Sequence, residues 1–244
     1  MPGLNKLAAE AIGRRAVLTE AALDERAPDD DAARGTLTLD LAIYRLAGGA
    51  EPVALRPLFR TAARHLARSL AAGPAAAPDP WAAQDFLAVV GCFGNAEDRR
   101  QARRLDPARY HDPSNPRHDL ICRTLGCLAQ NLGGARLATA ELRLVIAGCG
   151  AENASRAERL ELLPLVRGLL AIEAKDAGGW NLALAQVTAA HAAEARWGAH
   201  RWRATGLVSL NGLMLLKRGL DAGLACRARS GYLPRGLVAS PVSA

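Results

Sequence analysis

Residues 154–196 read ASRAERLELLPLVRGLLAIEAKDAGGWNLALAQVTAAHAAEAR, and this stretch decides the fold. Apolar residues recur every three to four positions in two long segments, 154–174 and 180–196, which is the period of an amphipathic helix. The run Asp176-Ala177-Gly178-Gly179 separates the two segments and predicts a tight turn. Two helices joined by so short a turn form an antiparallel hairpin.

The segments before this hairpin repeat its pattern. Residues 120–132 and 136–147 predict a second helix pair, separated by Gly133-Gly134 and ended by Gly148. Nearer the N-terminus, the pattern predicts a helix beginning at about Leu4 and further helices over 36–46, 52–70, 81–93 and 97–104, with Asp79 as a cap. The sequence therefore predicts an all-α fold, an array of antiparallel helical hairpins that is irregular and tetratricopeptide-like.

The longest irregular stretch in the middle of the chain lies near residues 105–118. It contains Asp106-Pro107 and Asp112-Pro113-Ser114-Asn115-Pro116, which cannot continue a helix. A second linker runs from Gly73 to Pro80. We expect one helical domain over residues 1–244, or two packed halves with a boundary near 105–118.

Composition indicates the compartment as well as the fold. Half of the residues are hydrophobic and only 4% are aromatic, and the apolar content is mostly alanine and leucine, which favour helix. No segment approaches the roughly 20 apolar residues of a membrane span, and the N-terminus lacks the pattern of a secretory signal. The five cysteines, an odd number, fit a reducing compartment. We expect a cytoplasmic protein without a membrane association, in which these cysteines are small buried residues: Cys92, Cys122, Cys127, Cys149 and Cys226.

Positive charge is concentrated at the C-terminal end. The formal net charge is +7, and residues 196–244 contain eight basic side chains against the single acidic residue Asp221. Such an excess can speed the encounter with an acidic partner or with nucleic acid. A solvated, arginine-rich surface is the alternative interpretation.

The histidines are the first candidates for chemistry. His111-Asp112 and His118-Asp119 could ligate a metal or form acid–base pairs. However, Asp112 precedes a proline and Asp119 stands where a helix N-cap is expected, so structural roles are favoured. His191 continues an apolar stripe at helical spacing, which is typical of a hydrogen-bonded core histidine.

The arginines of the short charged helix are the next candidates. Arg99, Arg100, Arg103 and Arg104 cluster there, as a phosphate-binding patch would. Glu97 and Asp98 begin the same helix and aromatic residues are missing nearby, which favours a solvated helix face. The chain also lacks a phosphate-binding glycine loop, a nucleophile elbow and a paired-histidine zinc motif. We therefore expect no enzyme, no cofactor and no metal.

The last fifth of the chain predicts a buried helix followed by a tail. Residues 207–220 are apolar on nearly every side, as in a central helix. Beyond Gly223 we expect an extended tail, in which residues 225–229 can form one short strand and Tyr232 and Leu233 pack back on the body. Tyr232 and Pro234 are expected to be structural, with the Tyr232 hydroxyl bonded to the backbone, so that Tyr232→Ala costs roughly 2–4 kcal/mol.

The order and spacing of several features over roughly residues 155–238 resemble the immunity protein 49 family of bacterial polymorphic toxin systems. These features are His191, Trp197, Gly206-Leu207-Val208-Ser209-Leu210, Gly219, Asp221, Gly223 and Tyr232-Leu233-Pro234. One departure concerns charge, because the family has acidic residues shortly before Tyr-Leu-Pro, where this chain has Arg227 and Arg229.

The resemblance implies an all-helical antitoxin that binds and neutralises a cognate toxin protein by steric or conformational blocking, without catalysis. The alternative is a helical nucleic-acid-binding or regulatory protein that uses the basic C-terminal region. An enzyme built on the two His-Asp pairs is the third class.

The polar bend between the last two long helices is the predicted partner-binding surface. It contains Arg196, His200, Arg201, Trp202 and Arg203. We expect it to present one large aromatic side chain flanked by guanidinium groups, a combination that dominates binding hot spots. The competing interpretation is that Trp202, like Trp197, caps the core of the hairpin.

Overall fold

A computed structural model describes residues 6–25, 30–73, 79–112, 114–115, 118–132 and 136–238. Within these ranges the chain forms ten α-helices and no strand, which confirms the all-α prediction. The helices are α1 (Lys6–Glu25), α2 (Asp31–Ala47), α3 (Pro52–Ala72), α4 (Pro80–Phe93), α5 (Ala96–Ala102), α6 (His118–Asn131), α7 (Thr139–Cys149), α8 (Leu163–Glu173), α9 (Ala177–Trp197) and α10 (Leu210–Asp221).

Local sequence explains where the early helices begin. The Asp79 side chain accepts a hydrogen bond from the Trp81 amide, as predicted for a cap. Asp30 caps α2 in the same way, through the Ala33 amide. At α5, Asn95 and Asp98 each accept from the other's backbone amide and form a capping box.

The helical hairpin predicted over residues 154–196 is present, but its turn is shorter than predicted. A π-helical segment (Glu158–Leu162) leads into α8, and α9 already begins at Ala177. Gly178 and Gly179 therefore lie in the first turn of α9, where the Asp176 side chain accepts from the Gly179 amide at 2.9 Å. Lys175, with a φ of 56°, reverses the chain instead of the glycines.

Two predictions for α6 and α7 were also wrong. Asp119 does not cap α6, because the helix begins at His118 and the Asp119 carboxylate pairs with Arg123 at 2.9 Å. Gly148 does not end α7, which continues to Cys149, while residues 136–138 precede the helix. The predicted Gly133-Gly134 turn lies outside the described residues.

Helix α10 is the central buried helix, although it begins at Leu210 rather than at residue 207. Ser209 caps it by accepting from the Gly212 amide, and residues Ala204–Leu207 form a separate 3-10 turn. The fully buried Trp180 indole donates to the Leu215 carbonyl at 3.0 Å. A Cβ at position 219 would collide with this indole, so glycine permits the close approach of α9 and α10.

The segment after Gly223 is extended and forms no strand between residues 224 and 230. The Asn181 side chain holds it by accepting from the Arg227 amide at 2.6 Å. The Tyr232 carbonyl accepts from the Ser209 amide, and Leu233 is buried against Gly212. The tail therefore packs back as predicted, but among the described residues the Tyr232 hydroxyl has no hydrogen-bond partner.

One buried hydrophobic cluster includes residues from all ten described helices, α5 contributing Ala102. Helix α4 contacts α6 across the irregular stretch near 105–118, and α10 contacts α4, α8 and α9. Contacts therefore continue through the predicted boundary. The repeat arrangement of the hairpins stays a prediction. Within the described ranges, no helix is both long and apolar enough to cross a membrane.

Candidate functional site

A hydrogen-bonded bend connects α9 to α10. The Gly198 amide donates to the Glu194 carbonyl, and the amides of Arg203 and Gly206 continue the bend through the carbonyls three residues before them. A Cβ at position 206 would collide with the His200 carbonyl, so this tight bend requires glycine. The backbone between α9 and α10 is therefore fixed by its own hydrogen bonds.

Both tryptophans of the bend project outward. The exposed fraction is 76% for Trp197 and 69% for Trp202, so neither side chain caps the core of the hairpin. Arg196, Arg201 and Arg203 are also exposed. The structure thus places four of the five predicted partner-binding residues on the surface.

Trp202 is held in place on this surface. The Arg15 guanidinium of α1 donates to the Trp202 carbonyl at 2.9 Å. The Arg201 guanidinium lies over the Trp202 ring, 4.6 Å from the ring centre, within the range of a cation–π contact. The indole is therefore exposed but positioned before any partner binds.

His200 is the predicted residue that turns inward. Its ring stacks on His191 at 5.4 Å, and Tyr232 packs edge-on against His191 at 5.1 Å. Burial lowers the pKa of His191 to about 4, aided by the His200 charge, and burial also lowers the pKa of His200. Both rings are therefore neutral at pH 7 and belong to the support of the bend.

A groove of about 830 Å³ opens beside Trp202. Its walls come from α2, the start of α4, the π-helical segment, the end of α9 and the bend. Four aromatic residues line it: Tyr44, Trp81, Phe86 and Trp202. Five acidic residues line it as well, Asp40, Asp79, Asp85, Glu161 and Glu194, against the basic residues Arg156 and Arg203. Arg156 is paired with Glu194 at 2.8 Å.

Three carboxylic acids of this groove are half-buried and have raised pKa values. Burial raises the pKa of Asp85 to about 7, and the charges of Glu161 and Asp79 add to this effect. Burial raises the pKa of Glu161 to about 7, with a contribution from Glu194. Burial raises the pKa of Asp40 to about 6, against the opposing effect of Arg203. These groups can gain or lose a proton near neutral pH, or bind a cationic group that favours their charged forms.

A small cavity of about 30 Å³ lies under the groove, lined by Asp85, Glu161, His191, His200 and Asn211, among others. The Asn211 amide donates to one Asp85 oxygen at 3.2 Å. Three buried side-chain atoms around this cavity have no hydrogen-bond partner: His191 Nε2, His200 Nδ1 and Asn211 Oδ1. The base of the groove is thus polar and incompletely satisfied.

The other sequence candidates do not assemble into a site. The Asp112 carboxylate accepts from the amide and hydroxyl of Ser114, which lowers its pKa, and Asp119 pairs with Arg123. In the part of the chain that the structure describes, no three His, Cys, Asp or Glu side chains could hold a metal ion. All five cysteines are free; four are buried, as predicted, and Cys226 is half-buried.

Sequence reasoning missed the acidic groove. Asp40 and Asp85 each stand as a lone acidic residue within an apolar helical run, TLTLDLAIY and AAQDFLAVV. A single carboxylate that interrupts an apolar face is the available signal, because burial of such a group is costly without a partner. Their convergence with Glu161 depends on the packing of three distant segments.

Comparison of the chain with protein-family models, with curated proteins and with solved structures found no match. The resemblance to the immunity protein 49 family therefore stays a prediction that depends on the residues quoted for it.

Proposed function

We propose that this chain is an immunity protein that binds a cognate bacterial polymorphic toxin and neutralises it by steric or conformational blocking, without catalysis. The observation that supports this most is the exposed, positioned Trp202 at the edge of the groove. A cytoplasmic antitoxin needs a rigid surface with a few large anchors, because rigidity reduces the entropy lost on binding.

The bend provides two kinds of anchor. Trp202 offers a large apolar area, and Arg201 and Arg203 offer planar groups that form paired hydrogen bonds with carboxylates. Tryptophan and arginine are the residue types most enriched in interface hot spots. In this proposal the toxin covers Trp202 and the mouth of the groove.

The lining of the groove suits a basic side chain of the toxin. Its acidic side chains outnumber its basic ones, and four aromatic rings line the same walls. A lysine or arginine of the toxin that entered it would meet carboxylates and ring faces together. The same carboxylates disfavour the nucleic-acid alternative at this surface, since they repel phosphate groups.

Co-expression in a bacterial host tests the proposal. The gene neighbourhood is first searched for a protein with a C-terminal toxin domain; that domain is the probe, and the readout is growth with and without this chain. We expect the parent chain to restore growth, and Trp202→Ala and the double variant Arg201→Glu/Arg203→Glu to lose protection while keeping the helical circular dichroism spectrum. The matched control is Arg103→Glu/Arg104→Glu, which reverses two exposed charges just after α5 and should protect fully.

The outcomes separate the function from the site. If the parent chain gives no protection against that toxin, the immunity function is contradicted. If protection survives the charge reversal at the bend, only the assignment of the surface is contradicted. Salt-sensitive binding to generic DNA that disappears in the same variant would favour the nucleic-acid alternative.

A further inference from the structure

A second depression, lined by arginines, lies between α3, α5 and the C-terminal segment. Arg56, Arg60 and Arg64 lie four residues apart on α3, so their side chains share one face of the helix. Arg99 of α5 faces them, and the four guanidinium groups line a cavity of about 500 Å³. We call this depression the arginine pocket.

Three of the four arginines of the pocket have no ion-pair partner among the described residues. Its lining includes one carboxylate, that of Asp98, which is buried and accepts from the Asn95 amide in the capping box. Across the described residues, no carboxylate forms an ion pair with Arg60, Arg64 or Arg99. Three guanidinium groups, those of Arg60, Arg64 and Arg99, therefore share the described part of the depression with the single carboxylate of Asp98.

Two neighbouring arginines that do not line the pocket lie close to carboxylates. Arg68, one turn beyond Arg64 on α3, lies 3.9 Å from the Asp31 carboxylate. Arg100, next to Arg99, pairs with Glu97 at 2.9 Å. The same two helices thus place carboxylates beside the arginines that point elsewhere. Arg60, Arg64 and Arg99, which line the pocket, have no such partner among the described residues.

Arg99 has unused hydrogen-bonding capacity. One of its terminal nitrogens donates to the Gly91 carbonyl at 3.3 Å, while its Nε atom is buried and has no partner. Arg218 of α10 lies behind it, where burial lowers the pKa of Arg218 to about 10 and the Arg99 charge opposes its protonation further. An anion in the pocket would relieve this repulsion and satisfy the free N–H group.

We propose that the arginine pocket binds the phosphate group of a small phosphorylated molecule. Guanidinium groups form paired hydrogen bonds with phosphate oxygens, and a phosphate monoester has enough charge and oxygens for several arginines. The cavity volume falls within the range of small-molecule sites. Phe93, Leu237 and Val238 supply an apolar wall for the organic part of the ligand.

The shape of the pocket favours a small ligand over a nucleic acid. Nucleic-acid backbones need a groove or an extended basic surface that follows successive phosphates. Here the exposed arginines converge on one concavity, and the wall formed by residues 237–238 is part of it. This site is separate from Trp202 and its groove, so it does not depend on the proposed immunity function.

Isothermal titration calorimetry on the full chain tests this inference, with inorganic phosphate, adenosine 5′-monophosphate, adenosine and a single-stranded oligonucleotide as probes at constant ionic strength. We expect both phosphates to bind and adenosine not to bind. Arg60→Gln and Arg64→Gln should each weaken phosphate binding about tenfold, as expected for the loss of one charge-assisted pair. Arg60→Lys should weaken it less, because the charge stays while the planar fork is lost.

The matched control is Arg104→Gln, an exposed arginine just beyond α5, which should change the affinity less than about twofold. Circular dichroism checks that each variant is folded. Tighter binding of adenosine 5′-monophosphate than of inorganic phosphate would assign the apolar wall to the organic part, and equal binding would assign the site to the phosphate group alone. The inference is overturned if neither phosphate binds at 10 mM, if Arg60→Gln and Arg64→Gln bind as the parent does, or if only the oligonucleotide binds.

Discussion

The groove beside Trp202 and the arginine pocket are two depressions of opposite charge in one small helical protein. The groove collects acidic side chains from four segments of the chain, although the bend at its edge belongs to the most basic part of the sequence. The pocket collects arginines from α3 and α5, in the part of the chain whose charges balance. The charge of a surface is therefore set by the helices that meet there and not by the net charge of the nearest segment.

The two depressions also differ in how deeply their charges lie. The carboxylic acids of the groove are half-buried, and burial raises their pKa values. Arg60 and Arg64 are exposed to water. Because water screens exposed charges, we expect substitutions in the groove to alter folding stability more than substitutions in the pocket.

Truncation of the buried leucines of the tail should have the largest effect, because it leaves cavities in the core. Leu233 is 4% exposed near the groove end of α10, and Leu237 is 3% exposed in the wall of the pocket. Leu233→Ala and Leu237→Ala should each lower the free energy of unfolding by about 3 kcal/mol. Tyr232→Ala should cost only about 1 kcal/mol, because its ring is half-buried and its hydroxyl has no partner in the described structure. Urea denaturation measures all three, and an equal cost for Tyr232 and Leu233 would contradict this ranking.

Removal of a groove carboxylate should raise the free energy of unfolding, by less than the leucine truncations lower it. The pKa of Asp85 rises from 3.8 to about 7 on folding. Between these values the folded state retains a proton that the unfolded state has lost, so this group lowers stability as pH rises through that window. Asp85→Asn, which keeps the acceptor for Asn211, should be about 2 kcal/mol more stable than the parent at pH 8 and no more stable at pH 4.

Thermal or urea unfolding at several pH values checks the Asp85 prediction. Glu161, Asp79 and Arg203 also act on Asp85, so their variants should shift the pH at which the gain appears. His191, whose pKa is lowered, destabilises at acid pH in parent and variant alike, and its effect cancels in the difference. The exposed Asp24→Asn is the control. A gain independent of pH would contradict the role of burial.

Substitution in the arginine pocket should have the smallest effect on stability. Arg64→Gln is expected to change the free energy of unfolding by less than about 0.5 kcal/mol, because its charge is exposed and has no ion-pair partner to lose. Any change should be a gain that disappears at high salt, since the like charges that line the pocket repel one another. Chemical denaturation at low and high ionic strength measures this, and a salt-independent loss above 1 kcal/mol would show that Arg64 is structural.

Much of the helical architecture could be predicted from local sequence. The apolar period predicted most helices to within a few residues, and Asp79 was recognised as a cap because its role depends only on its own turn. The errors occurred at helix ends and turns. The chain reverses at Lys175 and not at the expected glycines. The Asp119 carboxylate pairs with Arg123, one helical turn later, and does not cap a backbone amide. The position of a turn depends on which of several alternative local hydrogen bonds forms, and the packing of the flanking helices determines which one does.

The sequence by itself determined the helices, the burial of α10 and the presence of one polar bend with Arg201, Trp202 and Arg203. Only the tertiary structure decided that Trp202 faces solvent while His200 turns inward, and that Asp40, Asp85 and Glu161 converge beside them. Periodicity and capping depend on residues within a few positions of each other, so a sequence displays them directly. Convergence of charges depends on contacts between segments that lie far apart in the chain, which no local pattern records.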